Sequence, residues 1–108
     1  MSENQPSQSE IDVALVRALI EILPERWKNA NLDISQEFHS DDTTSLALMI
    51  TNPDGEKDLP QPSDDLNLVA RRLALLSSQK GNKLKSAHYA TSLSADGNWD
   101  FKASYFYY

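Results

Sequence analysis

The chain has 108 residues, 40% of them apolar, and a net charge of -6. That suits one domain with one modest core and excludes wholesale disorder. Without cysteine there is no disulfide scaffold, thiolate metal site or cysteine nucleophile, and the acidic balance argues against a nucleic-acid binder.

Residues 1–8 are polar and read as a flexible N-terminus, leaving a single domain over 9–108. MSENQPSQSE lacks the basic and apolar regions of a signal peptide, and no segment reaches the ~20 apolar residues of a membrane span. A cytoplasmic protein, away from membranes, is expected. Ser9 and Asp12 have the spacing of a capping box. Behind them Ile11, Leu15, Ala18, Leu19 and Ile22 recur at helical spacing, with Asp12, Arg17 and Glu21 on the other side. Pro24 stops this helix, and Trp27 just beyond it reads as a core plug under the helix end.

Two strands follow. Leu32, Ile34 and Phe38 alternate with Asp33, Ser35, Glu37 and His39, the pattern of a sheet with one buried face. After a turn at SDDT, Leu46, Leu48 and Ile50 share one side, while Ala47 and Met49 on the other predict a central strand. NPDG is a turn signal, and EKDLPQP offers a short optional strand closed by Pro60 and Pro62. Ser63 caps a second helix with Asp64 and Asp65 in its first turn, and Gly81 ends it. In the closing hairpin Ala87, Tyr89, Thr91 and Leu93 alternate with Ser86, His88, Ala90 and Ser92. Asp96 and Gly97 supply its turn. Trp99, Phe101, Ala103, Tyr105 and Tyr107 then alternate with Asp100, Lys102, Ser104, Phe106 and Tyr108, so the aromatic ending SYFYY is sheet. The expected fold is a single α+β domain: an antiparallel sheet of four to five strands, two helices on one face, in the order α-β-β-(β)-α-β-β.

Chemistry is sparse. His39 and His88 lie far apart, and no second histidine or cysteine stands at metal-ligand spacing. The pairs Asp41/Asp42 and Asp64/Asp65 have structural explanations as turn and cap residues. There is no GxSxG elbow, and the three glycines are absorbed by turns and a cap. The expectation is a non-enzyme without cofactor or metal. Charge is segregated instead: residues 33–65 hold nine acids and one base, Lys57, whereas residues 66–85 hold only bases. The plain reading of this segregation is solubility, and the sharper one is an anionic surface that steers a cationic protein partner.

ALVRALIEILPERW, with Ile22, Leu23, Pro24, Glu25 and Trp27, and the terminal TSLSADGNWDFKASYFYY, with Leu93, Asp96, Gly97 and Trp99, resemble the YezG-like immunity proteins. The resemblance implies an antitoxin that binds and neutralises a cognate toxic nuclease domain. Nucleases are typically basic because they hold phosphates, so the acids Glu37, Asp41, Asp42, Asp54, Glu56 and Asp58 are the contact candidates. Phe106 and Tyr108, on the polar face of the last strand, would add stiff aromatic contact area. A free sheet edge would also allow self-pairing in a homodimer. The element order is similar as well to that of small acidic secretion chaperones, which bind an unfolded effector segment as dimers.

Overall fold

Apolar periodicity sets the elements of the computed structural model, which describes residues 8–41, 43–55 and 59–108. In helix α1 (Gln8–Ile22) the residues Ile11, Leu15, Val16 and Leu19 face inward, following the 3.6-residue repeat. The helix stops ahead of Pro24, whose carbonyl accepts the Trp27 N–H at 3.0 Å in a tight turn. Trp27 is 2% exposed and fills the space below the helix end, as expected. Among the described residues its indole N–H finds no acceptor. That costs roughly 1–3 kcal/mol, opposed by the large apolar area the ring buries. The start of the helix differs from expectation. Ser9 already lies within α1, and Asp12 turns into the core instead of facing solvent.

Helix α2 (Asp64–Gln79) begins and ends as its sequence dictates. The Ser63 hydroxyl accepts the Leu66 N–H at 3.1 Å, relieving one of the unpaired donors of the first turn. At the other end Gly81 takes a φ of 83°, which a side chain would strain. This lets Asn82 N–H reach the Ser77 carbonyl at 2.9 Å and Gly81 N–H reach Ser78 at 3.0 Å, closing a Schellman motif.

The strands are β1 (Asn29–Phe38), β2 (Thr44–Thr51), β3 (Leu84–Leu93) and β4 (Trp99–Tyr107). They form one antiparallel sheet in the order β2-β1-β3-β4. Two hairpins are thus joined through β1 and β3, with α2 crossing between them. Residues 59–62 run outside any strand, and the rest of the optional strand, 56–58, lies outside the described residues. Strand β2 is an edge strand. The central position inferred from Ala47 and Met49 is therefore corrected: both are exposed, and Met49 is 61% accessible. Two apolar faces did not mean two covered faces.

Both helices lie on the same face of the sheet. Ala30, Leu32 and Ile34 of β1, Ala87 and Tyr89 of β3, and Ile50 of β2 pack beneath them in one core. Burial of each large aliphatic side chain there contributes about 1.5–3 kcal/mol. Among the described residues no helix lies on the other face of the sheet, and this asymmetry positions the candidate site.

Candidate functional site

Strand alternation sends every second residue to the uncovered face, and the register aligns these into rows. One row runs Met49, Asp33, His88, Ser104 across β2, β1, β3 and β4. Beside it run Ala47, Ser35, Ser86, Phe106 on one side and Thr51, Asn31, Ala90, Lys102 on the other. Asn29, Ser92 and Asp100 form a further row toward one end, and Glu37 extends β1 toward the other. Serine and alanine dominate this surface, so the longer side chains stand proud of it. Among the described residues the carboxylates in these rows are Asp33, Glu37 and Asp100, against Lys102, with Lys85 exposed at the β3 bulge.

At the centre His88 Nδ1 lies 2.6 Å from Asp33 Oδ1, joining residues 55 positions apart. With 40% and 52% of their side chains exposed, the pair contributes at most about 1 kcal/mol to stability. What it does fix is the direction of the Asp33 carboxylate and the ring. Ser104 is the cross-strand neighbour of His88, yet no hydrogen bond joins it to the ring, so the row does not form a nucleophile–base pair. What the face presents is a rigid backbone, small spacers and an oriented carboxylate at Asp33.

The residues expected from sequence at a partner surface are dispersed. Glu37 and Phe106 share one end of the open face, where Phe106 is 58% exposed. Asp41 sits in the β1–β2 turn near that end, but it is engaged locally, accepting from Thr43 Oγ1 at 2.6 Å and Thr43 N–H at 3.2 Å. These bonds, the hydroxyl's first, hold its carboxyl below the usual range. Asp54 lies at the opposite end, where its carboxylate accepts from Asn29 Nδ2 at 3.1 Å. That is roughly 27 Å from Glu37 along β1. Asp42, Glu56 and Asp58 lie outside the described residues.

Tyr108 does not continue the alternation that placed it beside Phe106. Strand β4 ends at Tyr107, and the Tyr108 N–H bonds back to the Lys83 carbonyl at 2.9 Å. Its hydroxyl donates to the Gln36 carbonyl at 2.6 Å, and its ring meets Phe38 edge-on at 5.3 Å. The residue thus bends around the end of β3 toward β1. Gln36 reciprocates by donating its side-chain amide to the Leu84 carbonyl at 2.9 Å, so side chains satisfy backbone groups where the ladder runs out.

Sequence reasoning missed Asp33, Asp100 and His88 as a group. The alternation did show each facing outward. The selection of acids nevertheless followed their density along the chain, and strand register alone brings β1, β3 and β4 together. Among the described residues no cluster of three or more histidine, cysteine, aspartate or glutamate side chains could hold a metal. No described helix is long and apolar enough to cross a membrane. The chain matches no protein-family model and no curated protein.

Proposed function

We propose that this chain is an immunity-type inhibitor whose open sheet face binds a basic, folded toxin domain, a nuclease being the class its charge suits. The observation that carries the reading is the uncovered face itself, with Asp33, Glu37 and Asp100 displayed among small side chains and Asp54 at its margin. Carboxylates spaced on a rigid sheet meet a phosphate-binding cleft with the charge its substrate would bring. Attraction of this kind acts mainly on the association rate and on partner choice. Phe106 supplies an apolar anchor at one end, and Met49 supplies another on the flank. The resemblance to YezG-like immunity proteins in the helix ending and the last hairpin supports the same role.

Cell survival tests it. Co-expression with a nuclease toxin domain encoded in the neighbouring reading frame should be tolerated with the wild-type chain. It should be lethal with the combined variant Asp33→Lys, Glu37→Lys and Asp100→Lys. Full protection by that variant, shown to be folded, would remove the open face from the mechanism.

A further inference from the structure

Strand β2 itself carries none of the sequence devices that keep a sheet edge from pairing. Its eight residues, TSLALMIT, contain no charge and no proline. Among the described residues its backbone bonds along one side only, to β1. The opposite edge, β4, carries Asp100 and Lys102 and is tied to α1 through Tyr105 and Asp12. An unblunted edge is a template for another strand.

A groove of about 680 Å³ lies beside this edge, between the sheet and α2. Phe38 and Leu46 line its sheet side, and Ala74 and Leu75 line its helix side, with Leu75 59% exposed. Among the described residues Arg71 is the one charged side chain lining it. At the Phe38 end the Lys83 ammonium sits 5.3 Å from the ring centroid. The groove therefore sets the apolar Phe38, Leu46 and Leu75 among polar walls that include Gln36, Asn67 and Ser78, with a cationic rim, in a chain whose net charge is -6.

We infer that β2 is a strand-addition site. An extended segment of a partner protein pairs with its free edge, sets apolar side chains from alternate positions against Phe38, Leu46 and Leu75, and brings a carboxylate to Arg71. Successive same-face side chains of an added strand stand about 7 Å apart, and the intervening ones pass over Ser45 and Ala47, which are small. Main-chain bonds give affinity and the groove gives selection. A second copy of this chain suits the site less well. Its β2 carries no acid for Arg71, and edge-to-edge pairing lays two α2 helices alongside each other, each with Arg71 and Arg72 near its midpoint. The groove lies on the helix-bearing side of the sheet, apart from the acidic face, and the inference does not depend on the immunity reading.

The test titrates the ¹⁵N-labelled full chain with an acetylated octapeptide that alternates valine and threonine and ends in an aspartate with a free carboxylate. Amide shifts and slowed hydrogen exchange should concentrate on β2 and on the α2 face lining the groove. A proline-interrupted probe should give neither. Arg71→Glu should weaken the acid-ended probe about tenfold, a change of about 1.4 kcal/mol, without weakening a lysine-ended one. The inference is overturned by the absence of a saturable response, by shifts confined to the open face, or by equal affinity in Arg71→Glu. Line broadening of β2 that grows with protein concentration alone would overturn it too, since a second copy would then hold the edge. The variant Asp33→Lys with Glu37→Lys should leave probe binding unchanged, so this site and the toxin-binding face fail separately.

Discussion

The Asp12 carboxylate and the Tyr89 hydroxyl, 77 positions apart, meet at 2.6 Å beneath helix α1. The other carboxylate oxygen accepts from Tyr105 at 2.5 Å, and the Gln8 side-chain amide donates at 3.1 Å to the oxygen that Tyr89 holds. One acidic group thus ties the first helix to β3 and to the edge strand β4. A buried carboxylate is tolerable only with such donors around it. Replacing Asp12 with alanine strands two hydroxyls and should cost about 3 kcal/mol. Tyr89→Phe leaves the carboxylate its other donors and should cost about 1.5 kcal/mol. Urea denaturation of both variants and their double mutant should show clear non-additivity, because they share one interaction.

The same cluster makes the protein sensitive to alkali. Burial first, then hydrogen bonding to Asp12, pushes the Tyr105 hydroxyl up to about 12, and the same causes push Tyr89 further in that direction. An unfolded tyrosine ionises near 10. Below that value both states keep the proton and the contribution to stability is complete. As pH rises from about 10 through about 12, the unfolded chain loses protons that the folded chain keeps, so stability falls. Unfolding free energy measured between pH 8 and 12 should decline above pH 10. Tyr105→Phe should flatten part of that decline.

Local signals carried the fold. Ser63, Gly81, Pro24 and the Asp96–Gly97 pair each act on the backbone within a few residues, so their effects are visible in a linear string. Asp96, for example, accepts from the Ser94 hydroxyl and from the Asn98 N–H, and its carboxyl is held below its usual range by these bonds, the hydroxyl's foremost. Asp12 was not legible: its side chain read as part of the polar side of the helix. It is buried with Leu15, Val16 and Leu19, because its tyrosine donors are encoded some eighty and ninety residues later. The pairing of Asp33 with His88, and the edge position of β2, depend on strand order. Alternation tells which face a residue takes, not which strand lies beside it.

Salt should separate the acidic face from the rest of the surface. On the proposed function, steering by Asp33, Glu37 and Asp100 would act over about a Debye length, roughly 10 Å at 0.1 M salt. Stopped-flow association with a basic toxin domain should slow about tenfold between 20 and 300 mM salt, with dissociation changing less. The charge-reversed variant should be slow at every concentration. Equal salt dependence in the two proteins would assign the attraction to other acids.

The aromatic ending divides between stability and contact, and single substitutions should show it. Phe106 projects from the open face and is mostly solvated, so Phe106→Ala should change stability by less than about 0.5 kcal/mol while weakening toxin binding. Tyr108→Ala removes the hydrogen bond to the Gln36 carbonyl and the ring contact with Phe38. Together these should cost about 1–2 kcal/mol. Deleting residues 105–108 also removes the Tyr105 hydroxyl from Asp12 and the last β3–β4 pairs, and the losses should sum to about ten degrees or more in Tm for a domain of this size. Thermal melts and toxin titrations on the same three proteins decide the matter. A Phe106→Ala variant that melts early but binds normally would make that ring a structural element instead of a contact.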